Sequence, residues 1–77
     1  MADAHDEWAQ RASRFLKAEL KRSGVTYEEL TRRLAELGIV ETKGGVAAKV
    51  NRGVYPAWFL FAAMKAIGRD QVNLADL

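Results

Sequence analysis

The sequence contains no cysteine, so it has neither a disulfide staple nor a thiolate metal site. Its one histidine, His5, lies in a polar leader with no second ligand in view, and no metal centre is expected. Proline occurs once, at position 56, where its missing N–H suits the first turn of a helix. Charge of one sign is also scarce: twelve Lys and Arg stand against ten Asp and Glu, too small an excess to imply nucleic acid by itself. The longest apolar run, Pro56 to Met64, is too short to cross a bilayer, and MADAHDEW lacks the cationic start and apolar core of a secretory signal. These absences lead us to expect a soluble, cytoplasmic chain with no membrane partner. With 77 residues there is room for one small core, hence one domain.

Catalytic apparatus is missing too. There is no thiol, no central histidine, no phosphate-cradling or dinucleotide glycine pattern, and no set of carboxylates free of basic helical neighbours. We therefore expect no enzyme, no catalytic residue, no cofactor and no small-molecule substrate.

What is present is helical periodicity. Met1 to Asp6 is short, polar and aperiodic, and reads as a flexible leader (1–6) to a single domain over 7–77. From Glu7 to Ser23, Trp8, Ala12, Phe15, Leu16 and Leu20 gather on one helical face. Arg11, Arg14, Lys17, Lys21 and Arg22 gather on the other, within roughly 140° at about 100° per residue, forming a basic ridge that could face solvent or phosphate. Glu19 falls inside the apolar stripe and needs a partner, for which Arg52, Lys49 or a helix terminus are the candidates.

Gly24 ends this helix, and Thr26-Tyr27-Glu28-Glu29 has the spacing of a capping box that starts the next. Leu30, Leu34 and Leu37 extend its apolar face up to Gly38, while Glu28 and Glu29 stand four residues before Arg32 and Arg33, favouring local ion pairs. Ile39-Val40 should dip into the core. Thr42 caps a third helix, TKGGVAAKVNRG, closed by Gly53, with Val46 and Val50 inward and Gly44, Gly45, Ala48, Lys49, Asn51 and Arg52 outward. Pro56 begins a fourth helix that is apolar nearly all round, and Leu74 to Leu77 reads as a last turn.

The expected fold is all-α: a compact bundle of four to five short helices near 7–23, 26–37, 42–51 and 56–67, with a possible turn at 74–77 and no strand. Its core is expected to hold Phe15, Leu16, Leu20, Leu30, Leu34, Val46, Val50, Leu60, Ala63 and Ile67.

The run GVTYEEL, the third helix ending in NRG and the proline-started fourth helix ending in IG together resemble the lambda repressor-like (Cro/C1-type) helix-turn-helix domains, over about Phe15 to Leu77. The prolonged second helix and Tyr27 at its start bring the chain nearer to a divergent group of short uncharacterised bacterial domains of this general fold. The resemblance implies a transcription-related DNA-binding domain. Tyr27, Lys43, Gly44, Ala48 and Lys49 would then face the groove, with Arg52 near phosphate. Gly44, Gly45 and Ala48 cannot supply base-reading hydrogen bonds, so contacts to the DNA backbone should dominate. The alternative is a protein-interaction module working through Trp58, Phe61 and Ala62, either as a homodimer or with another protein; the N-terminal segment around Trp8 could also fold over that patch.

Overall fold

The computed structural model describes residues 3–77, in the order α1 (Ala4–Ser23), α2 (Tyr27–Glu36), α3 (Lys43–Arg52), α4 (Ala57–Ala66) and a closing 3-10 turn (Leu74–Asp76). Among the described residues there is no strand, and the fold is an all-helical bundle with a radius of gyration of 12.1 Å. Helix α1 begins three residues earlier than the periodicity placed it. Asp3 is its N-cap, accepting from the Asp6 backbone N–H at 2.9 Å, and the acidic Asp6 and Glu7 suit the positive end of the helix dipole. Of the leader, Met1 and Ala2 lie outside the described residues; Asp3 to Asp6 are the cap and first turn of α1.

Thr26 caps α2 by accepting from the Glu29 N–H at 3.1 Å, but the reciprocal half of the capping box is not made. The Glu29 carboxylate turns to Arg32 and Arg33, because charged donors bind a carboxylate more strongly than one backbone N–H does. Gly38, at φ 88°, turns the chain out of α2 so that the Ile39 N–H reaches the Leu34 carbonyl at 2.9 Å. In the connection that follows, neighbouring side chains part company. Ile39 packs against the core, Val40 is 85% exposed, and Glu41 turns inward, so only one of the expected apolar pair is covered.

Helix α3 packs between α1 and α2, and α2 also packs on α4. Leu16, Leu30, Leu34, Val46, Val50 and Phe59 are fully buried at the centre, joined by Phe15, Leu20, Val25, Ala63, Met64 and Ile67. Leu60, expected inside, sits at the margin; Phe59 takes the inward position, four residues before Ala63 and eight before Ile67, with its ring 5.3 Å from that of Tyr55.

The joint between α1 and α3 is backbone on backbone. A Cβ on Gly53, which closes α3 at φ 67°, would lie 1.7 Å from the Ala9 carbonyl oxygen. The same joint is tied by the Ser13 hydroxyl donating to the Asn51 carbonyl (3.1 Å) and the Tyr55 hydroxyl donating to that of Ala12 (3.3 Å). Burial holds the Tyr55 hydroxyl above its ordinary pKa, so it remains a donor.

Candidate nucleic-acid interface

The outer face of α3 carries Lys43, Gly44, Ala48, Asn51 and Arg52, all exposed. Its first turn is set by Thr42, whose hydroxyl accepts from the Gly45 N–H at 3.0 Å. A Cβ at Gly45 would press on that hydroxyl at 3.1 Å, whereas one at Gly44 would meet open space. The glycine pair therefore has two explanations: residue 45 makes room for the cap, and residue 44 leaves the backbone uncovered.

The residues named for the groove do not all stand free. The Tyr27 hydroxyl lies 3.2 Å from Asn51 Oδ1 and its ring packs against the core, so it bridges the start of α2 to the end of α3. Lys43 Nζ is 4.0 Å from Glu28 Oε2, both side chains being largely in solvent, where such a pair contributes little. Arg52 has no ion-pair partner among the described residues. Lys49 is different: it is bound to Glu41 and lies 5.7 Å from the Phe59 ring centroid, turned away from the exposed arc.

The basic ridge of α1 divides. Lys17 and Lys21 line a groove of about 320 Å³ with Leu20, Val25, Thr26 and Tyr27, on the side of α1 that adjoins the start of α2. Arg11, Arg14 and Arg22 line another, of about 260 Å³, with Ala18, Asp76 and Leu77 beside the closing turn. The Arg11 guanidinium stacks 4.8 Å from the Trp8 ring centroid.

Glu19 is buried beneath this second groove. Its partners are neither Arg52 nor Lys49: Arg22 Nη1 donates to Oε1 at 3.0 Å, and Arg69 Nε stands 2.8 Å from Oε2, near enough for an ion pair though not aligned as a hydrogen bond. The end of α3 meets another face of α1, and the segment after α4 brings Arg69 to the buried carboxylate.

On α2, Glu29 takes both Arg32 and Arg33, and Arg32 also pairs with Glu36. Hydrogen bonds from Arg32 first, then Arg33, hold the Glu29 carboxyl down at about 2, and Glu29 in turn raises the Arg32 guanidinium. Arg33 has a second role that local pairing did not reveal: its Nη1 donates to the Ala66 carbonyl at 3.1 Å, capping the end of α4.

The family model described as Domain of unknown function (DUF6471) matches residues 8–72. The chain belongs to this family. The DUF6471 match runs from the second turn of α1 to Val72, taking in α2, α3 and α4 whole and stopping before the closing turn. No curated protein and no solved structure matches the chain.

Two further features of this DUF6471 domain lie away from α3. Trp58 and Phe61 are 51% and 66% exposed on α4, with Ala62 half-buried beside them. Trp8 does not cover them; it lies in a groove with Ala9, Gly53, Val54 and Tyr55 and is itself 56% exposed. At the start of α1, Asp3, His5 and Asp6 bring one potential ligand atom each within 4.8 Å of the others, giving His5 neighbours that its place in the sequence did not suggest. All three are exposed, and Asp3 is already engaged as the helix cap.

Proposed function

We propose that the chain is a helix-turn-helix-like domain that binds duplex DNA through phosphate contacts rather than base readout, in a transcription-related, cytoplasmic role. One observation carries this reading. Lys17, Lys21 and Tyr27 share a groove, and Tyr27 is hydrogen-bonded to Asn51, so the Lys side of the α1 ridge is linked through Tyr27 to the outer face of α3, and this supports reading the two as a single phosphate-binding surface. Lys43 and Arg52 complete it, at opposite ends of α3. The small residues Gly44 and Ala48 between them let a DNA backbone come close to the helix without supplying hydrogen bonds to base edges.

The test is binding to random-sequence duplex DNA across a salt series. Each of Lys17→Ala and Arg52→Ala should lower affinity about equally for all sequences and flatten the slope of log K against log salt by roughly 0.9. An unchanged slope in the double variant removes the reading.

A second reading has its own observation in Trp58 and Phe61, whose aromatic surface is left to solvent on α4 and is not covered by Trp8. In that reading the fold presents Trp58, Phe61 and Ala62 to a second copy or to another protein.

A further inference from the structure

The connection between α2 and α3 turns a charge inward. The Glu41 side chain is only 18% exposed, and its Oε1 is bound by Lys49 Nζ. Its second oxygen, Oε2, is buried and has no hydrogen-bond partner among the described residues. That oxygen lies beside the first turn of α3, 3.9 Å from where a Cβ on Gly45 would stand. A carboxylate drawn this far out of water is costly unless its charge is answered, and among the described residues Lys49 alone pairs with it. The lysine is held in turn: its side chain is 32% exposed and its ammonium rests near the Phe59 ring. Lys49 stands one turn before Arg52, and an unpaired lysine there would extend its long stem toward water beside that arginine.

We propose that Glu41 is an internal substitute for an external anion: it sequesters Lys49 and so limits how many phosphates the α3 face takes. The proposal rests on the phosphate-binding reading of that face. A DNA phosphate can recruit Lys49 only by breaking a partly desolvated ion pair and leaving the Glu41 carboxylate buried and alone. Lys43 and Arg52 therefore act without Lys49. Removing the charge at residue 41, while keeping its shape, returns the ammonium to the exposed flank of the helix.

The experiment uses the full chain as wild type, Glu41→Gln, Lys49→Ala and the double variant, with helix content checked by circular dichroism. Against random-sequence duplex DNA, Glu41→Gln should bind up to about tenfold more tightly at ~50 mM salt, with a slope steeper by roughly 0.9, the signature of one extra phosphate contact. Lys49→Ala, which leaves the Glu41 charge unanswered beside the face, should bind no more tightly than the wild type, and the double variant should fall back to the wild-type value. A double variant that keeps the gain of Glu41→Gln, or no gain from Glu41→Gln in a chain that binds, overturns the proposal.

A DNA-free measurement separates its failure from that of the DNA reading. On reductive methylation followed by mass spectrometry, Lys49 should react more slowly than Lys43 in the wild type and at a similar rate in Glu41→Gln. Equal rates in the wild type overturn sequestration whether or not DNA binds. Absence of salt-dependent DNA binding in both proteins overturns the phosphate-binding reading, and the methylation rates then decide sequestration alone.

Discussion

Gly53 and Gly44 carry the same residue type on one helix for unrelated reasons. At Gly53 the left-handed backbone and the Ala9 carbonyl each exclude a side chain, and the second is the stronger objection because the obstacle is backbone and cannot swing aside. Gly53→Ala should destabilise the fold by about 2–4 kcal/mol through strain and forced separation of α1 from α3, read as a fall in the denaturation midpoint. At Gly44 a methyl group meets nothing, so Gly44→Ala should stabilise the fold by a few tenths to about 1 kcal/mol, read as a higher midpoint, as the helix loses a flexible residue. A destabilising Gly44→Ala would show that residue 44 is under a constraint other than space. If the face binds DNA, the same methyl should weaken that binding by holding the backbone off, separating the stability effect from the functional one.

At the scale of the element, α2 is a helix whose surface ion pairs centre on Glu29. Glu29 receives Arg32 and Arg33, and Arg33 extends the network to the last turn of α4. Because the folded carboxyl titrates at about 2, below its ordinary value of 4.5, its contribution to stability is present in full above about pH 4.5 and is lost as pH falls toward 2. Solvent reaches these side chains, so the effect is modest and sensitive to salt. Glu29→Gln should flatten the acid side of the stability profile in that window. Thermal melts from about pH 6 down to about pH 2 for the two proteins test this, and identical acid profiles would remove Glu29 as a contributor. Helix α4 shows the opposite case, where charge is nearly absent and one side of the helix keeps its aromatics in water.

Across the whole molecule, the surfaces are divided among the helices: cations on the outside of α3 and one side of α1, arginines beside the closing turn, aromatics on α4. A domain this small has one core, and Trp58 and Phe61 are left outside it. If they serve self-association, the wild type should sediment as a dimer at micromolar concentration and Trp58→Ala as a monomer. Monomers in both cases would exclude a homodimer through α4 and leave the patch to a different protein. Paired copies would also bring two α3 faces together, so dimerisation and tighter DNA binding should be lost together in Trp58→Ala.

Helix existence and order were legible in the sequence because the signals that start and stop a helix act over three or four residues: Thr26 and Thr42 cap as their spacing implies, and Gly24 and Gly53 close the turns they follow. Most of the core was legible for the same reason, since a 3.6-residue period selects a face; Phe59 and Met64 take the inner positions of α4 while Leu60 moves to the margin, which depended on the way α4 turns, and Val25 is buried from the connection after α1, where no period applies. The tertiary structure decided the partners of charged groups. Glu19 is answered by Arg69, fifty residues away, beside its local partner Arg22; Arg33 reaches α4, and Lys49 is taken by Glu41 from the preceding connection. An ion pair across elements depends on which helix faces meet, and local pattern does not encode that. For the same reason the α1 ridge, continuous on a helical projection, was split by its neighbours, with Lys17 and Lys21 going to the α2 side and Arg11, Arg14 and Arg22 to the closing turn.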